Sequence, residues 1–141
     1  MMRSLLRIGL FGLAIIPAAT LIAASSPRAL APALGGLWEV SRSASGHNPT
    51  RVCVPTADLL AQFEHRQGRC TRVVIKDSGT EALIHYTCAS GGFGQSKVRL
   101  VTPRSLTIDT QGISDNLPFH YQLYARRVGE CAAQPDKISR R

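Results

Sequence analysis

Cysteine is the residue whose spacing says most about chemistry in this chain. Cys53, Cys70, Cys88 and Cys131 are 17, 18 and 43 positions apart, and no pair has the C-x-x-C spacing of a local zinc or redox site. An even number of cysteines in a small exported chain points instead to two disulfides. The histidines are His47, His65, His85 and His120, none at i, i+2 or i, i+4 from another, so no local metal or catalytic pair is present. His85 and His120 fall on expected strands and are the two that can converge as a general base. The nucleophile motifs G-x-S-x-G and S-x-x-K are missing, and oxidised cysteines supply no thiolate. Asp109 and Asp115 flank a Gln-Gly loop where solvation accounts for them, and no spacing suggests the facing carboxylates of a glycosidase. Ser90-Gly91-Gly92-Phe93-Gly94 lacks the Lys-Ser/Thr ending and following helix of a phosphate loop and reads as a connection between strands. Pro49 removes Asn48 from the glycosylation acceptors. No catalytic residue, metal or cofactor is assigned.

The balance of the sequence narrows the partners. Its 141 residues suit one domain with one modest core, and 17 Lys and Arg against nine Asp and Glu give +8. Multidomain architectures, long coiled coils, Rossmann-size folds and full disorder fit poorly. Arg66, Arg69 and Arg72 lie close together, as do Arg126 and Arg127. This charge suits an anionic lipid or polysaccharide surface, whereas an exported chain without aromatic stacking motifs is a poor partner for nucleic acid. Fourteen Arg against three Lys also fits a compositional bias, which weakens a purely electrostatic reading.

The export signal is read from the first 24 residues. Met1 to Arg7 carry two arginines and no acid, and Ile8 to Ala24 run without a charge, the layout of a secretory signal. Pro17 and two glycines break that run, so cleavage near Ala24 or Ser25 is expected rather than anchoring. Removal of Arg3 and Arg7 takes the charge from +8 to +6. The expected address is periplasmic or secreted. Residues 25–36, rich in Ala, Pro and Ser, read as a flexible lead-in, 37–131 as the domain, and 132–141 as a polar tail.

The elements that position the chemistry are mostly strands. Leu37 to Ser45 and Arg51 to Val54 are strand candidates, and Ala57 to Glu64 reads as a helix of two turns capped by the Thr56 hydroxyl, with Leu59, Leu60 and Phe63 as its apolar stripe. Cys70 to Lys76 and Ala82 to Ala89 flank a turn centred at Gly79 and form a hairpin. Its register sets Cys70 opposite Cys88, Arg72 opposite Tyr86, Val74 opposite Ile84, Thr71 opposite Thr87 and Ile75 opposite Leu83. Pairing Cys70 with Cys88 leaves Cys53 for Cys131. Gln95 to Thr102 and Ser105 to Thr110 form a second hairpin around Pro103-Arg104, and Phe119 to Arg127 alternates as the last strand. Seven strands and one short helix predict a mainly β fold, a curled antiparallel sheet or small barrel.

Gly36-Leu37-Trp38-Glu39, Cys53-Val54-Pro55 before a short helix, two mid-chain cysteines and Ala125-Arg126-Arg127-Val128-Gly129-Glu130-Cys131 form an ordered set. Together they resemble the domain of unknown function 3617 family of small exported bacterial proteins, from Gly35 to Cys131. The resemblance implies a Gram-negative envelope address, supports the four-cysteine plan and implies no activity. Within it, Gly36-x-Trp38 with a late arginine is similar to the lipocalin-type barrels, which implies Arg126 or Arg127 over Trp38 by cation–π contact.

The reading that follows is a non-enzymatic envelope protein that binds an apolar or anionic ligand or a partner protein. Trp38, Tyr86, Phe93, Phe119 and Tyr121 are expected to line its core or pocket, with Arg72 and Arg126 as positive rim charge. The competing readings are a small periplasmic hydrolase using His85 or His120 and a purely structural protein without a pocket.

Overall fold

The computed structural model describes residues 26–132; the expected signal and all but the first residue of the expected tail lie outside the described residues. Seven strands follow in chain order: β1 (Leu34–Ser41), β2 (Thr50–Thr56), β3 (Cys70–Ser78), β4 (Glu81–Cys88), β5 (Phe93–Thr102), β6 (Ser105–Ser114) and β7 (Leu117–Gly129). All pair antiparallel in one sheet of order β2-β1-β7-β6-β5-β4-β3, curled into a half-barrel whose two edges, β2 and β3, do not meet. The mainly β reading and the number of strands are both as expected from the sequence.

Period-two alternation explains which face is filled. Ala82, Ile84 and Tyr86 on β4, Ser96 and Val98 on β5, Leu106, Ile108 and Thr110 on β6, and Leu123 and Ala125 on β7 are all buried on the concave side. Trp38 and Val40 extend this layer onto β1. A single sheet cannot bury such a face alone, and the segment between β2 and β3 covers it. Residues Ala57–His65 cross the concavity as a 3-10 helix, burying Ala57, Leu60 and Ala61 against the sheet.

This helix differs from the expected α-helix. Gln62 breaks the helical dihedrals, and Thr56 makes no side-chain cap bond. Nine residues are too few to hold an α-helix by themselves, and the crossing must reach from one sheet edge to the other. A 3-10 turn rises about 2.0 Å per residue against about 1.5 Å in an α-helix, so the turns on either side of the Gln62 kink reach further than α-helical ones of the same length. Buried Ser96 then fixes its height by donating its hydroxyl to the Ala61 carbonyl, with Thr110 Oγ1 2.8 Å from the same Ser96 oxygen.

The expected flexible lead-in is also corrected. Arg28–Leu30 form a short 3-10 turn, and Ala29, Leu30 and Ala33 are buried in the core. Asp77 on β3 accepts the Arg28 and Ala29 backbone N–H groups, each at 2.8 Å, which docks the segment on the sheet edge. Residues without periodicity give no sign of this, because their burial follows from fit against β3, β4 and β5 rather than from pattern.

The β3–β4 hairpin holds the expected register from Cys70↔Cys88 through Val74↔Ile84, but a bulge then sets Lys76, not Ile75, opposite Leu83. A bulge on an edge strand twists it away from further pairing. The β6–β7 hairpin turns on Asp115 and Asn116, both at positive φ, the backbone of a two-residue turn that favours these residue types.

Both expected disulfides are formed, Cys53–Cys131 and Cys70–Cys88, with sequence separations of 78 and 18. Chain-entropy arithmetic assigns them about 4.5 and about 3 kcal/mol before any native strain. Replacing Cys53 and Cys131 together by serine is therefore expected to lower stability more than replacing Cys70 and Cys88. Urea unfolding of the two double variants checks the order.

Candidate functional site

The crossing helix and Trp38 fill the centre of the concave side. Trp38 and Tyr86 are both essentially inaccessible, so these two expected pocket residues belong to the core. Trp38 Nε1 donates to the Leu34 carbonyl at 3.2 Å. The arginine expected above its ring is not there. Arg127 is its cross-strand neighbour, but donates through Nε to the Gly35 carbonyl at 2.9 Å and pairs with Glu130. Gly36 makes room for it: at φ +140°, a Cβ there would lie 2.7 Å from Arg127 Nη2. The cation–π contacts among the described residues are Arg42 over Tyr121 and Arg66 over Phe63.

The two expected rim arginines are engaged within the chain. Arg72 donates to Gln62 Oε1 at 2.7 Å and lies 3.6 Å from Asp58, tying β3 to the crossing helix. Arg126 shares Glu39 with Arg51, a cross-strand row over β2, β1 and β7 on the outer face.

On the outer face β4 to β7 form an open cleft of about 660 Å³. Two rows of side chains build it, fixed by the register. His85, Gln95, Gln111 and His120 stand opposite one another in sequence across the four strands, and Phe93, Ile113 and Pro118 form the adjacent row on β5, β6 and β7. Sequence reasoning singled out Phe93 and the two histidines here but missed the two glutamines, whose place is visible only once all three hairpins have a register.

The histidines do not converge. They stand three strand spacings apart, about 14 Å. His120 Nε2 is 2.9 Å from Asp109 Oδ1, while His85 faces Gln95 across the strand pair. No group of three or more His, Cys, Asp or Glu able to hold a metal occurs among the described residues.

Beneath the cleft, on the inner side of the same strands, lies an aromatic cluster. Gly94 and Gly112 pair directly, with Tyr86 beyond Gly94 and Phe119 beyond Gly112. A Cβ on Gly94 would come within 2.5 Å of the Tyr86 hydroxyl, and one on Gly112 within 2.1 Å of the Phe93 carbonyl oxygen. His65, at the end of the crossing helix, packs between Tyr86 and Phe119, with Nδ1 3.2 Å from the Tyr86 hydroxyl and Nε2 buried without a partner. Tyr121 donates its hydroxyl to Glu64, and the Arg42 guanidinium lies 3.8 Å above its ring. Tyr121, expected to line a pocket, is thus a strut between β7 and the crossing helix.

Burial pushes the Tyr86 phenol up from 10.0 to about 12, with the Glu64 charge adding to it and Thr110 opposing. Tyr121 is raised as well, first by burial and then by its Glu64 partner, against the pull of Arg42. A phenol whose native value lies above its unfolded one contributes stability that is complete below the unfolded value and lost as pH rises through the native one. Stability is therefore expected to fall from pH 10 toward about 12 for Tyr86, and Glu64→Gln should bring the Tyr121 transition to lower pH. Tyrosinate absorbance followed alongside urea unfolding at each pH tests both.

No curated protein and no solved structure shows a match to the chain. The family described as "Protein of unknown function (DUF3617)" matches residues 30–131, a span that holds every strand, the crossing helix and all four cysteines. With well over half of its length inside that match, the chain belongs to the DUF3617 family.

Proposed function

We propose that this domain is a non-enzymatic binding module of the bacterial envelope, and that the outer cleft over β4 to β7 is its binding site. The observation that carries the reading is the cleft itself: about 660 Å³ of open space, within the usual range for a small ligand, walled by apolar groups and a few convergent polar ones. Two disulfides and the signal-like first 24 residues support an oxidising compartment outside the cytoplasm. A hydrolase is less well supported, because His120 has an orienting carboxylate in Asp109 but no nucleophile among its hydrogen-bond partners.

The cleft also replaces the positively charged rim as the preferred contact surface, since Arg72 and Arg126 are both paired with acids. Titration of isotope-labelled protein with lipid, glycan and small-molecule fractions of the envelope should produce saturable amide shifts that centre on Phe93, Gln95, Gln111 and Ile113. Shifts confined to other surfaces, or none with any fraction, would overturn the assignment of the cleft.

A further inference from the structure

We infer that the ligand of this cleft is an uncharged glycan chain laid across the strands. The inference rests on the binding-site reading above and narrows it to one chemical class. Three features of the cleft select it.

The first is charge. The protein carries +8, yet no Asp, Glu, Lys or Arg lines the cleft. Arg99 and Lys97, on the same strand as Phe93, lie outside the lining, and Arg99 is paired with Glu81. The ionisable groups of the wall are His85 and His120, and His120 is engaged by Asp109 at its edge, so neither an anionic nor a cationic ligand meets a full unpaired countercharge there.

The second is the division of the wall into two rows. Phe93, 43% exposed, stands beside Ile113 and Pro118 as an apolar strip. A sugar ring presents an apolar C–H face and a hydroxyl edge. The strip accepts the face, as aromatic and aliphatic groups do in mixed sites. The parallel row accepts the edge: Gln95 and Gln111 each offer two N–H donors and a carbonyl acceptor, and His85 adds a ring nitrogen. Hydroxyls both donate and accept, so amides suit them on either side. A fatty acyl chain would instead leave this polar row desolvated without partners.

The third is spacing. Strands lie about 4.8 Å apart, close to the length of a hexose ring, so successive sugars of an extended chain meet successive strands. The row from His85 to His120 spans about 14 Å, room for about three rings. The Gly94–Gly112 pair, with Tyr86 and Phe119 packed behind it, holds that platform in one shape before any ligand arrives, which lowers the ordering cost of binding.

The test uses the oxidised exported chain, isotope-labelled, and four probes: cellotetraose and chitotetraose as neutral glycans, tetragalacturonate as an acidic one, and dodecanoate below its micelle concentration as an apolar one. A neutral tetrasaccharide should shift the amides of residues 93–95 and 111–113 saturably. Phe93→Ala should weaken that binding at least about tenfold, and the double variant Gln95→Ala/Gln111→Ala comparably, while Lys97→Ala leaves it unchanged. Unshifted resonances in β1 and β2 show that each variant keeps its fold. Cleft shifts caused only by tetragalacturonate or dodecanoate would overturn the glycan assignment and leave the binding-site reading standing. Silence of the cleft toward all four probes, and toward the neutral oligosaccharide fraction of the envelope, would overturn the glycan assignment. Silence toward every envelope fraction would remove both.

Discussion

The crossing of residues Ala57–His65 over the open side of the sheet is the constraint on which the rest of the molecule depends. A seven-stranded sheet with two unpaired edges has a concave face that water would otherwise reach. One chain segment closes it, and the disulfides grip that segment at both ends. Cys53, in the middle of β2, is tied to Cys131 beyond the last strand, and Cys70, at the start of β3, is tied to Cys88 on its neighbour. Between those anchors Ser96 and Arg72 hold the crossing at fixed height, through the Ala61 carbonyl and the Gln62 amide. The covalent links do not hold two layers together; they limit where a single strap can lie.

A filled concavity decides where function can reside. In an open barrel of this kind the interior would be the natural binding site, but here Trp38, Leu60 and Leu106 occupy it at close packing. The open cleft lies instead on the outer face, where the register of three successive hairpins aligns side chains into rows. Gly94 and Gly112 are what make the two faces cooperate, since their missing side chains let the Tyr86 and Phe119 rings approach the backbone on which the cleft is built. A Cβ at Gly112 would press on the β5 backbone at the Phe93 carbonyl and so distort the very row that carries the exposed ring.

Much of this fold is legible in the sequence, and the reasons are local. The Cys70–Cys88 register follows from a short turn and two alternating segments, which leave one sensible set of cross-strand neighbours. The bulge at Ile75 has no such signature, because an exposed Val73-Val74-Ile75 run on an edge gives no alternation from which to read the slip. Residues 28–33 were unreadable for a different reason: Ala29, Leu30 and Ala33 are buried by shape, without a periodic stripe. The Asp115-Asn116 turn was within reach, since adjacent Asp and Asn between apolar runs favour positive φ at both positions. The site was least legible. Phe93 and both histidines were visible as types, but the row that joins His85 to His120 through two glutamines needs the pairing of four strands, each a step of inference on the last.

The same row logic explains why residues that look catalytic in the sequence are not brought together. His85 and His120 lie on the same face and in the same cross-strand row, so only the number of strands between them separates them. An antiparallel meander places consecutive strands side by side, so two strands stand between β4 and β7. Both histidines lie on the convex face, and curling the sheet around the crossing helix moves them further apart rather than together. Between the histidines lie Gln95 and Gln111, with the apolar row of Phe93, Ile113 and Pro118 beside them. Two intervening strands and the convex curvature that the strap imposes from the opposite side thus keep apart two side chains that the sequence alone would let meet.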